Sequence, residues 1–117
     1  MSWAPLPEHA VYLDDKQPPV SPEWEWVRTV KAFTDRMAAG DVQHISLDFN
    51  LSCTDYGHSG LDAVRWMATT GTWPTASVQL HTGDYQGRKQ MAALITSSGL
   101  FTSPEDHPLG KIYRRRG

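Results

Sequence analysis

Cysteine is almost absent from this chain: Cys53 is the single one among 117 residues. One thiol cannot close an internal disulfide, so the fold must rest on its core and a disulfide-stapled scaffold is excluded. Long apolar runs are also missing, and none approaches the roughly 20 residues of a membrane-spanning helix. The first residues, MSWAPLPEHA, lack a basic segment followed by an apolar one, so no secretory leader is expected. Neither sign of charge dominates. Eleven Lys and Arg face thirteen Asp and Glu, a formal net charge of −2, which gives no general pull towards nucleic acid. The one basic run, Arg114–Arg115–Arg116, reads as a solvated terminus. Internal repeats are absent. These absences together lead us to expect a reducing, cytoplasmic setting and no membrane partner.

What is present suits a packed domain. Hydrophobic residues make up 39% and charged residues 21%, which is enough apolar surface for one core. A single domain over residues 1–117 is expected, with its core at about 10–98 and an irregular tail over 99–117. Three short apolar runs stand out, each ending on polar groups. Ala10–Leu13 ends on Asp14–Asp15. The central run Val42–Leu51 delivers Asp48. Ser77–Leu80 ends on His81 and Thr82. Their length is that of buried strands. In an open parallel sheet the ligand site lies outside such strand ends.

Between the runs, helical spacing appears. Val30, Phe33 and Met37 share one helix face, stopped by Gly40. Leu61, Val64 and Ala68 share another, closed by Gly71, with Trp66 adjacent. Met91, Leu94 and Ile95 mark a third helix over Arg88–Ser98. Residues 1–9 read as a loose lead-in. DDKQPPVSPE carries three prolines, so the first crossover should be an extended loop with no helix. Weak alternation over Trp24–Val30 suggests a short edge strand. Residues 99–110 should be irregular, and Lys111–Tyr113 a last edge strand. The expectation is an α/β fold, a three-layer, mostly parallel, receiver-like (flavodoxin-like) sheet, reduced by its missing first crossover helix.

The order of these segments resembles the cyclic-phosphate-processing receiver-like domains of the response-regulator receiver superfamily. The residues carrying the resemblance are Leu13-Asp14-Asp15, Ser46-Leu47-Asp48, Ser59-Gly60-Leu61-Asp62, Trp66, His81-Thr82-Gly83-Asp84 and Gly87-Arg88 with Met91. The match runs from about Val11 to Met91. Four positions depart from the family pattern: Gln17 stands where the family has an arginine, with Lys16 one position earlier, Asn50 replaces an acid, Asp84 replaces an asparagine, and Tyr85 replaces the proline after it. No lysine can be placed at the end of a fifth strand, where true receivers carry one. The resemblance implies handling of cyclic or nucleotide phosphates with a divalent metal.

The candidate site follows. Asp14, Asp15 and Asp48 are the expected ligands of Mg²⁺ or Mn²⁺, because close carboxylates repel unless a cation joins them. Asp48 and His81 are the catalytic candidates, His81 as a general acid. Thr82, Gly83, Gly87 and Arg88 are expected around a phosphate, with Arg88 forking onto it at a helix opening. Asn50 and His58 are further ligand-binding candidates. His44 is expected in a core or interface, Asp62 as a helix cap, Trp66 and Met91 in the core, and Trp24 and Trp26 buried against the sheet or stacked on a base. The partner expected is a phosphate-containing small molecule, in the resemblance a cyclic nucleotide. The expected activity is metal-dependent phosphoester hydrolysis or binding. A non-catalytic module that sequesters a nucleotide or a protein is the alternative, and a phospho-accepting receiver with Asp48 as acceptor a further one.

Overall fold

The structure, a computed structural model, describes residues 9–107 and 110–116. Nearly all of the lead-in expected over residues 1–9 therefore lies outside the described residues. The elements are β1 (Ala10–Leu13), β2 (Glu25–Val27), α1 (Val30–Ala38), β3 (His44–Leu47), α2 (Gly60–Thr70), β4 (Ser77–Leu80), α3 (Tyr85–Ser97), β5 (Glu105–His107) and β6 (Gly110–Arg114). They build one six-stranded sheet of order β2-β1-β3-β4-β6-β5. β2, β1, β3 and β4 run parallel, while β6 runs antiparallel to both β4 and β5. This is a reduced receiver-like sheet. Its first connection, residues 14–24, is the proline-rich loop and holds no helix.

The connections explain the layering. The links β2–α1–β3, β3–α2–β4 and β4–α3 all advance across the sheet in one direction. Right-handed crossovers then put all three helices on one face. Accordingly α1 packs on α2 and α2 on α3. Alternation along each strand sends every second residue to that face. Val11, Leu13, Ile45, Leu47, Val78 and Leu80 meet Phe33, Met37, Val64, Met67, Met91 and Ile95 there in one buried core. The other parity set faces away from the helices and is more polar: Tyr12, Ser46, Ser77 and Gln79, all buried. His44 lies among them, its Nδ1 2.8 Å from Ser77 Oγ.

The helix ends are closed by side chains, which satisfies N–H groups that lack partners within the helix. Thr29 caps α1 through Ala32 N–H, and Asp55 Oδ2 accepts from Val30 N–H at 2.7 Å. Ser59 and Asp62 form a reciprocal capping box at α2, as expected for Asp62. Asp84 caps α3, so that helix begins at Tyr85, three residues before the expected Arg88. The segment expected to be irregular over 99–110 contains β5. β6, expected at the sheet edge, is instead flanked by β4 and β5.

Candidate functional site

β1 leaves towards β2 on one side, whereas the chain after β3 advances to the other. The sheet order therefore reverses between β1 and β3, and a crevice opens at their carboxyl ends. The ladder runs one rung past the strands. Asp48 N–H bonds Leu13 O at 2.9 Å and His81 N–H bonds Leu47 O at 3.0 Å. Asp14, Asp48 and His81 thus stand side by side on neighbouring strands and share the face away from the helices. Asp15 is one residue further along and turns towards the β3–α2 loop, where its Oδ2 accepts from Cys53 N–H at 2.8 Å.

Asp14, Asp15 and Asp48 converge: each offers a carboxylate oxygen, all within 4.8 Å of one another. That spread is close to the roughly 4–5 Å across a six-coordinate oxygen shell around a hard divalent cation. The donors are hard oxygens, so they fit such a cation. Asp14 and Asp15 are almost completely buried. Asp14 Oδ1 takes the N–H groups of Lys16 and Gln17 at 2.8 and 2.9 Å. Burial, and then the charge of Asp14, push the Asp48 carboxyl above its ordinary range, against the opposing effects of Phe49 N–H, His81 and Thr82. A bound cation would relieve this conflict.

His81 is locked in place. Its Nδ1 lies 2.7 Å from Ser46 Oγ and its Nε2 lies 3.0 Å from Asp14 Oδ2. The ring stacks on Tyr12, with centroids 4.3 Å apart and planes 10° from parallel. Ser46 is small and sits between Tyr12 and Gln79 in the sheet register, which lets the phenol lean across it. Burial lowers the His81 pKa in spite of the Asp14 hydrogen bond, so the imidazole is neutral at neutral pH. Neutral imidazole carries one N–H, consistent with Nε2–H donating to Asp14 and Ser46 O–H donating to Nδ1. The Ser–His–Asp line is no nucleophilic triad, because Ser46 is fully buried. Burial, Asp14 and Asp48 likewise raise the pKa of Tyr12.

A cleft of about 320 Å³ opens beside these groups, lined by Tyr12, Asp14, Gln17, Pro18, Val20, Asp48 and His81. Its outer wall is the proline-rich loop that stands where a crossover helix would run. The other expected residues are placed as follows. Thr82 is buried and hydrogen-bonds Asp48, and its Oγ1 accepts from Asp84 N–H at 3.1 Å. Gly83 is exposed with open space around its Cα. Gly87 is buried where an added Cβ would lie 2.3 Å from the Phe49 ring, so its room is filled by packing. Arg88 stands a full turn beyond the cap, 5.9 Å from the Tyr85 ring centroid, and does not line the cleft. Asn50 is exposed and accepts from Ser52 N–H at 3.0 Å, and exposed His58 lies 3.6 Å from Asp62. Neither reaches the cleft wall.

Several neighbours that the sequence pattern does not single out as site residues also shape the site. Tyr12 and Ser46 hold His81, and Gln17, Pro18 and Val20 wall the cleft. A period of two does put Ser46 on the face of Asp48, which was the available signal. Lys111, paired with Leu80 at the carboxyl edge, places its Nζ on Asp106.

No curated protein and no solved structure matches this chain. The family model for the cyclic-phosphate processing receiver domain matches residues 9–97, which contain β1 to α3 and every residue of the carboxylate cluster. With that span covered, the chain belongs to the cyclic-phosphate processing receiver domain family.

Proposed function

We propose that this domain holds a divalent cation, Mg²⁺ or Mn²⁺, on Asp14, Asp15 and Asp48 and binds a phosphate ester beside it, a cyclic or nucleotide phosphate. The observation that carries this reading is the convergence of three carboxylates from two strand ends, with Asp48 pushed towards protonation by burial and then by the charge of Asp14. When bound, the cation would polarise a phosphoryl oxygen and lower the pKa of a bound water. The residues supply positioning. His81 donates to Asp14 and keeps one carboxylate oxygen aimed, while Thr82 does the same for Asp48. Tyr12 and the proline-rich loop shelter the ligand from bulk water on one side.

A second reading is favoured by one observation. Both ring nitrogens of His81 are engaged within the protein, which leaves its N–H on Asp14. That suits a binding module better than a hydrolase with His81 as general acid. Incubation with Mg²⁺ and a panel of 2′,3′-cyclic and 3′,5′-linked nucleotides, read by mass, separates the two. Opened or cleaved nucleotide supports the hydrolase. Intact nucleotide with a raised melting temperature supports the binder.

The shared premise is tested first. Mg²⁺ or Mn²⁺ should raise the melting temperature of the wild type and leave Asp48→Ala unmoved. A ligand at ~100 times its dissociation constant adds about 2.7 kcal/mol. Equal metal shifts in the two proteins would refute a site built on Asp48.

A further inference from the structure

The cleft walls are rich in anionic and neutral groups. Asp14 and Asp48 are acids, Gln17 is uncharged, and both ring nitrogens of His81 are engaged by Ser46 and Asp14. A phosphate dianion beside three carboxylates needs positive charge beyond one divalent cation. Arg88 is directed to Tyr85, and its charge is felt at Tyr113 on the helix-bearing face. Arg28, just past the end of β2, is different. Its Nε and Nη2 both donate to the main-chain carbonyl of Asp15, at 3.2 and 2.7 Å. Its guanidinium lies over the Trp26 ring, 5.0 Å from the centroid. Trp26 in turn donates its indole N–H to the carbonyl of Asp14 at 2.8 Å. The two side chains therefore grip the backbone of the acidic pair from the β2 side.

This arrangement fixes the plane and position of a guanidinium against the main chain of the acidic pair, beside the residues that line the cleft and not among them. A guanidinium has five N–H donors, and the Asp15 carbonyl takes two. The residue is exposed, so the remaining donors meet solvent. Guanidinium is weakly hydrated, permanently charged and matched to the fork of two phosphoryl oxygens. Holding it by stacking and a double hydrogen bond removes most of the side-chain entropy that a free arginine would lose on binding. We infer that Arg28 is the phosphate-binding cation of this site: it receives the outer oxygens of a phosphate held at the Asp14–Asp15–Asp48 cluster. The inference rests on the phosphate reading above and names the residue that supplies its anion recognition.

The test uses the full chain with saturating Mg²⁺ and inorganic phosphate as the probe, with sodium chloride matched for ionic strength. Phosphate affinity is read by calorimetry, and the Mg²⁺-induced thermal shift is read separately without phosphate. Arg28→Ala should keep the Mg²⁺ shift and lose phosphate affinity by roughly tenfold or more, the scale of a lost charge-assisted contact. Arg28→Lys should recover only part, since a point charge lacks the fork. Gln17→Arg in the Arg28→Ala background should restore binding, because position 17 already lines the cleft. Lys16→Ala removes an exposed neighbouring charge and should change affinity little.

Wild-type phosphate affinity retained in Arg28→Ala would overturn this inference and leave the phosphate reading standing. Loss of the Mg²⁺ shift together with phosphate binding would make Arg28 a structural support of the acidic pair and overturn it too. An equal loss in Lys16→Ala would reduce the effect to general surface charge. If the wild type takes up Mg²⁺ and ignores phosphate, the phosphate reading falls, and this inference with it.

Discussion

At the scale of single residues, Asp48 is the most informative side chain. Its carboxyl titrates above the ordinary value of 3.8 because burial and Asp14 disfavour its charge. The unfolded chain therefore ionises Asp48 first as pH rises, and the native state carries a penalty that grows until its own higher pKa is passed. Metal-free wild type should lose stability relative to Asp48→Asn as pH climbs from about 4 to 7, the ordinary carboxylate range upward. Asparagine keeps an oxygen for Phe49 N–H, which Asp48 Oδ1 accepts at 2.8 Å. Melting curves of both proteins in chelator read this difference, and Mg²⁺ at pH 7 should reverse it for the wild type alone. A gap that stays constant with pH would contradict the electrostatic origin. His81 shows the limit of sequence at this scale. Its place after β4 was legible, but its contacts with Ser46, Asp14 and Tyr12 join three strands and leave no spacing in the chain.

At the scale of elements, the site depends on how tightly α2 is pressed onto the end of β3. Gly60, the first helical residue, donates its N–H to Phe49 O at 2.8 Å. A Cβ there would lie 2.0 Å from the carbonyl oxygen of Asp48. Gly60→Ala must push α2 and Asp48 apart, so it should destabilise by about 1–3 kcal/mol, the usual range for overpacking. It should also weaken the Mg²⁺ thermal shift, since Asp48 moves with its backbone. Denaturant melts with and without Mg²⁺ check both effects, and a variant as stable as wild type would refute the close approach. The legible elements were those whose burial is periodic. β1, β3 and β4 carry short apolar runs, and α1 and α2 show helical faces ended by glycine. β5 is Glu-Asp-His, exposed or half-buried throughout, and pairs only with β6. No apolar alternation could announce it. Spacing alone places the start of α3 too late, because its first turn contains Gly87, a residue that suggests a loop. The signal for its start was Asp84, whose Oδ1 accepts from Gly87 N–H at 2.7 Å. Three residues of offset moved Arg88 from the helix mouth to its second turn, away from the cleft.

At the scale of the whole molecule, the sheet has two unlike faces and two unlike ends. The large hydrophobics left exposed among the described residues are Val20, Trp26, Tyr56 and Tyr85. Trp26 lies within β2, and the other three stand on the segments that follow β1, β3 and β4; of the four, Val20 lines the cleft beside Asp14 and Asp48. The two faces differ for a topological reason: every crossover helix falls on one side, so the other side keeps polar residues that pair among themselves. His44 is the titratable member of that set. Burial first, then the nearby charges of Arg114 and His9, lower its pKa from 6.5. Lys111 and Asp106 lie on the far strands, and their charges are not among those that act on it. A histidine held neutral in the native state binds its proton more readily when unfolded. Its contribution is thus intact above the unfolded value of about 6.5 and erodes as pH falls through it. Wild type should accordingly lose more stability between pH 7.5 and 5.5 than His44→Gln, which has no proton to take up. The comparison is made without metal, so that titration at the carboxylate cluster is common to both proteins. Parallel losses in the two would mean that the polar face tolerates a charged His44 and that its burial costs little.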